Sequence, residues 1–240
     1  MTVRKETNLK EISDLVISFL YTDYEVVDGI PPQFAIIHPV FESTIAGISD
    51  GDNGKIVDFY NNDDNLQLVR DSFLKRIKSS TTINELYCIV RKSYRLTFLK
   101  FAEPFLSCND MSELLADAWT TSENPNQDNN VKLPMIVRWF KNANKKLLMD
   151  EEEYEVYKSL PDKFTVYRGV AIGRNPNGLS WTKSKSKAEW FSHRFDKNNN
   201  IGYIQSAIAD KQNVLAYFNS RDEDEIVVDP KTFDNINIIS

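Results

Sequence analysis

The sequence predicts an α+β fold in which a mainly helical N-terminal region precedes a set of strands. Two observations carry that expectation. Apolar residues recur at helical spacing in several segments up to about residue 160. Beyond it, short runs rich in Val, Ile, Tyr and Phe alternate with turn residues. With 240 residues, 41% of them hydrophobic and 12% aromatic, the chain can bury one large core or two small ones.

Taken in order, Leu9, Ile12, Leu15, Val16, Phe19 and Leu20 form one face of a helix over 8–21. Gly29-Ile30-Pro31-Pro32 breaks the chain, and 34–41 reads as a short strand or a buried connector. Asp50-Gly51-Asp52-Asn53-Gly54 is an acidic turn, without the glutamate that closes a calcium loop. Segments 66–77 and 83–100 read as helices, and Pro104 interrupts. Asp110 or Ser112 caps a helix over 113–119. The polar stretch 120–130 reads as a solvent loop; the alternative is a loop at the mouth of a site, framed by Trp119 and Glu123. Pro134 opens a helix whose stripe is Met135, Ile136, Trp139 and Phe140, and 151–160 is a charged helix. The expected division is 1–105, which carries no motif, and 106–240.

Three segments carry chemistry. Phe164-Thr165-Val166-Tyr167-Arg168-Gly169-Val170 is a strand ending in Arg-Gly. An arginine beside a glycine that lets a ligand reach the backbone suits a phosphate-bearing substrate. In Gly178-Leu179-Ser180-Trp181-Thr182, Ser180 and Thr182 share one strand face and Trp181 packs on the other. Ser184 then caps a helix carrying Ala188, Trp190, Phe191 and Phe195. Strands over 201–209 and 213–218 lead through the 218–222 loop to Asp222-Glu223-Asp224-Glu225-Ile226-Val227-Val228. Glu223 and Glu225 alternate onto one face of a strand. Paired carboxylates suit a reaction that develops positive charge, or that needs one acid and one base; a solvated acidic turn is the plainer reading.

Aromatic-Arg-Gly, then Ser-x-Thr with a helix, then Glu-x-Glu resembles the mono-ADP-ribosyltransferases of the arginine–serine–glutamate class. The resemblance covers about residues 130–240, with Ser180-Trp181-Thr182 where the family usually has Ser-Thr-Ser. It implies an ADP-ribosyltransferase-like split β-sandwich with flanking helices, and NAD as the substrate that donates ADP-ribose. It assigns Glu225 to the charge developing on the ribose, Ser180 to orienting that carboxylate and Arg168 to the phosphates. It sets the Gly169 backbone near the nicotinamide amide, Thr182 in the cofactor site and Glu223 at the acceptor. The chain also resembles toxin-like members carried by bacteriophages. That implies a protein acceptor of a bacterial host, an arginine ahead of RNA or a small molecule. An NAD glycohydrolase and a non-turning nucleotide- or partner-binding module stay open.

Composition closes other routes. Net charge is -6, split into -7 over 1–160 and +1 over 161–240, unlike a general nucleic-acid binder. Lys183, Lys185, Lys187, Arg194 and Lys197 form a solvated face or a positive rim for an anionic cofactor. Cys88 and Cys108, with His38 and His193, lack metal-ligand spacing, so no metal is expected. No glycine loop for phosphates, secretion signal or membrane-length apolar run is read, and a reduced cytoplasmic setting is expected.

Overall fold

The computed structural model describes residues 6–50, 53–194, 202–219 and 222–239. Gly51, Asp52, Phe195, Lys197, Ile201 and residues 220–221 of the 218–222 loop, which enter the expectations above, lie outside them. The class is α+β with antiparallel sheets. Two compact units divide the chain at Met1–Asp110 and Met111–Ser240, against the expected division after residue 105. Among the described residues, no helix is long and apolar enough to cross a membrane.

In the first unit, α1 (Leu9–Leu20) buries Ile12, Val16 and Leu20 completely, and the Asn8 side chain caps it. β1 (Glu25–Val26) pairs with β2 (Ile36–Ile37), and β3 (Ile45–Asp50) pairs with β4 (Asn53–Asp58). The β3–β4 hairpin is an addition to the mainly helical region expected. Its apolar positions do not alternate cleanly, and Ile56 is 79% exposed. α2 (Asp63–Ser79) follows, capped by Asn62.

The single helix expected over 83–100 is instead two. α3 (Ile83–Tyr87) has a Thr82–Glu85 capping box, and α4 is Arg95–Ala102. The cause is Arg91, whose Nη1 donates to the carbonyls of Ile36, His38 and Phe41 at 3.0, 3.2 and 3.0 Å. Its backbone N–H also donates to Pro39 O at 2.9 Å. Those bonds hold residue 91 outside the helical path. α5 (Cys108–Thr121) starts earlier than expected because Ser107 is its cap: Ser107 Oγ accepts from Asp110 N–H at 3.0 Å.

In the second unit, α6 (Leu133–Asn142) buries Ile136, Val137, Trp139 and Phe140, with Pro134 in its first turn. Met135, expected in that stripe, is half-buried. α7 (Lys145–Leu148) and α8 (Glu151–Ser159) complete the helices before the sheet, α8 with an Asp150–Glu153 capping box. The strands are β5 (Lys163–Val170), β6 (Ser180–Thr182), β7 (Tyr203–Asp210), β8 (Val214–Phe218), β9 (Glu225–Val228) and β10 (Ile236–Ile238). Their order is β10-β7-β5-β6-β9-β8, antiparallel throughout. β5 and β7 pair along their whole length, from Lys163↔Asp210 to Val170↔Tyr203. β5 and β6 share the single pair Tyr167↔Thr182, so the sheet is almost parted there.

α9 (Lys185–His193) is capped by Ser184 and packs on β5. This contact explains Gly169. A Cβ there would lie 2.0 Å from Ala188 O and 2.6 Å from Ser192 N. The glycine therefore admits helix backbone, where the sequence reading had it admit a ligand. Trp190, expected on the apolar face of α9, is 58% exposed. Trp181 is buried against the edge of Phe233 at 4.9 Å.

His38 yields a pH test of the first unit. Its Nδ1 accepts from the N–H groups of Val40 and Phe41 at 3.0 and 2.9 Å, so its proton sits on Nε2, which donates to Thr22 O at 3.0 Å. Burial lowers its pKa from 6.5 to about 4. A folded pKa below the unfolded one gives stability that is full above pH 6.5 and is lost as pH falls toward 4. The loss attributable to this group is about 3 kcal/mol at most. Urea unfolding at stepped pH should show the decline in wild type and a flatter one in His38→Asn. Equal slopes would exclude His38 as its source.

Candidate active site

One cleft of the second unit gathers all six residues singled out from the sequence: Arg168, Gly169, Ser180, Thr182, Glu223 and Glu225. Arg168 comes from β5, Ser180 and Thr182 from β6, and Glu225 opens β9. Glu223 lies in the loop before β9, not on its strand as the alternation predicted. Asp222 and Asp224, at φ 55° and 54°, take left-handed backbone on either side of it. The two glutamates reach one cleft through that loop geometry.

Arg168 is only 8% exposed. Its Nη1 donates to Ser180 O at 2.5 Å and its Nη2 to Asn175 O at 2.9 Å. Burial draws its pKa down to about 10, against the opposing charge of Glu225, so the guanidinium stays charged at neutral pH. The sequence reading gave this fork to phosphates; here both terminal nitrogens hold backbone carbonyls. Two other arginines, Arg174 and Arg194, line the same cleft.

The 120–130 segment is a wall of the cleft and not a bare solvent loop. Asn126 is 9% exposed; its Nδ2 donates to Ser180 Oγ at 2.8 Å and its Oδ1 accepts from Leu179 N–H at 2.5 Å. Asn175 Nδ2 donates to Asn126 O at 3.0 Å. With the Arg168 bonds, these close a ring running Arg168, Ser180, Asn126, Asn175 and back. Trp119 Nε1 donates to Glu225 Oε1 at 3.1 Å. The strand register sets Thr182 opposite Glu225, and Ser180 opposite Val227. The sequence does not assign Asn126, and it names Trp119 only as a frame of the site mouth in the alternative reading: an asparagine in a turn-rich stretch and a tryptophan in a helix carry no local mark of their distant partners.

The glutamate loop is anchored. Tyr217 OH donates to Asp224 Oδ1 at 2.7 Å, and Asn219 Oδ1 accepts from Asp224 N–H at 3.0 Å. Burial and the neighbouring Asp224 push the Tyr217 hydroxyl's pKa up, so it stays a donor. Asn219 N–H donates to Glu153 Oε1 at 2.7 Å, and Lys187 Nζ reaches Asp222 Oδ1 at 3.1 Å.

Comparison with protein-family models, curated proteins and solved structures yields no match.

Asn126→Ala removes the acceptor of Leu179 N–H and the donor to Ser180 Oγ. The expected cost is about 1–3 kcal/mol, the range for leaving buried polar groups unpaired. Thermal unfolding measures it. A variant as stable as wild type would mean that Asn126 does not hold the cleft wall.

Proposed function

We propose that this chain is an NAD-dependent mono-ADP-ribosyltransferase whose acceptor is a macromolecule, a protein arginine by preference. The observation that carries the reading is the convergence of Arg168, Ser180, Glu223 and Glu225, read from three separate motifs, on one cleft. The fold supports it as well. Strands β10-β7-β5 and β6-β9-β8 meet through one residue pair, the form expected of a split β-sandwich of the ADP-ribosyltransferase kind.

The chemistry follows from the charge that appears. As nicotinamide leaves, the ribose carbon becomes oxocarbenium-like, and a fixed carboxylate beside it lowers the barrier. Glu225, 8% exposed and held by an indole N–H, is that carboxylate. Glu223, lining the same cleft, is the group that orients the acceptor, which favours transfer over hydrolysis. A protein of a bacterial host, met in the cytoplasm, is the proposed target, and a bacteriophage the proposed source.

Incubation with labelled NAD and bacterial lysate tests the reading. Label on a protein band means transfer, free ADP-ribose alone means hydrolysis, and neither means a binding module. Glu225→Gln should lower nicotinamide release about 10²-fold or more, the scale for losing one preorganised electrostatic group. Glu223→Gln should lower acceptor labelling far more than nicotinamide release. Glu225→Gln turnover within a few-fold of wild type would remove the assignment.

A further inference from the structure

We infer that Trp119 is a positioning residue of this site: its indole N–H fixes the orientation of the Glu225 carboxylate without neutralising it. The inference rests on the reading of Glu225 as the group that meets the developing positive charge.

Trp119 lies on α5, outside all three motifs. It is 1% exposed and set against Phe140 with ring centroids 5.3 Å apart and planes at 86°. Packing so complete leaves the indole one orientation, and in it Nε1 donates to Glu225 Oε1 at 3.1 Å. A carboxylate at a strand end can rotate about its side-chain bonds. Tying one oxygen to a rigid donor fixes the direction of the other, and that direction decides how closely negative charge approaches a ribose carbon.

The kind of donor matters. Lysine or arginine at this place would also hold the oxygen, but as an ion pair that spends the negative charge before the substrate arrives. Indole is a neutral group with a donor and no acceptor. It holds one carboxylate oxygen without adding a second cation to Arg168, whose charge already interacts with Glu225. The other charged groups lining this cleft are Arg168 on β5, Glu223 in the loop before β9, Glu123 in the loop after α5, Arg174 beyond β5 and Arg194 beyond α9. None of them changes when Trp119 is replaced, so a difference between variant and wild type isolates the indole.

Trp119→Phe in the full chain keeps a ring against Phe140 and deletes the donor. Carbon-13 carboxyl NMR, with the Glu225 signal identified by its loss in Glu225→Gln, should show the Glu225 titration move to higher pH in the variant. Nicotinamide release should fall about tenfold to a hundredfold in kcat, with KM for NAD within about twofold, and its acidic limb should move the same way. An unmoved titration would overturn the inference, even if kcat fell, because lost packing alone would then be the cause. If the wild-type protein releases no nicotinamide, the proposed function fails, yet the titration still decides whether Trp119 governs Glu225. Should Trp119→Phe not fold, the indole N–H resonance of wild-type protein replaces it. That signal should shift across the Glu225 titration and stay flat in Glu225→Gln; a flat signal in both overturns the inference.

Discussion

The second unit depends on one buried charge. Taking a guanidinium out of water costs several kcal/mol even after relaxation, and the cost must be met by well-placed acceptors. Arg168 finds two, the carbonyls of Ser180 and Asn175, while its Nε has no partner among the described residues. Compensation is therefore incomplete, and stability alone is a poor reason for the residue. Its place explains it better. β5 and β6 share one residue pair, and the Arg168–Ser180 bond ties the two strands where ladder hydrogen bonds are missing. Gly178 belongs to the same constraint: a Cβ there would sit 2.2 Å from Arg168 Nη2 and 2.9 Å from Asn126 Cγ. A side-chain cross-link, seated over a glycine, replaces a length of sheet.

A second constraint shapes the acidic loop. Two carboxylates that must share a cleft repel each other, and setting them two apart on one strand would fix them at close range. The left-handed backbone at Asp222 and Asp224 leaves Glu223 off the strand path, so the loop and not the pleat sets its approach to Glu225. Aspartate tolerates that conformation better than most residues, because its short side chain bonds locally. The Asp224 carboxylate does so by accepting from Tyr217 OH, while its backbone N–H donates to Asn219 Oδ1, and both contacts are within the loop's own flanks. The Lys187–Asp222 pair adds little, since Asp222 is 92% exposed and water screens the attraction.

What was legible in the sequence follows from the range of each interaction. The strands of the three motifs, the Ser184 cap and the burial of Trp181 are written in neighbouring residues, so periodicity and cap chemistry were enough. The break in the helix expected over 83–100 was not legible, because its cause is Arg91 reaching carbonyls more than 45 residues upstream. β10 is three residues long and two-thirds exposed at Ile238, too little pattern to declare a strand. Within the cleft, Glu225 and Ser180 were readable from their strands. Their bonds to Trp119 and Asn126, across 106 and 54 residues, were not, although Trp119 frames the site mouth in the alternative reading of the sequence.

Register joins these points. Tyr167 pairs with Thr182, Thr182 with Glu225, and Glu225 with Phe218. Each of the three motifs thus places one residue in a single row across the sheet, at the level where β5 and β6 part. Strands stand about 4.8 Å apart, so Tyr167 and Glu225 are held at roughly 10 Å by one intervening strand. A slip of one residue on β6 would turn Ser180 and Thr182 to the other face and Trp181 out of its place on Phe233. With one ladder pair between β5 and β6, the backbone alone specifies that register weakly. The ring from Arg168 through Ser180, Asn126 and Asn175 grips β6 from both sides of Ser180 and supplies the missing specification. The groups that build the cleft wall and the groups that fix the strand register are therefore the same.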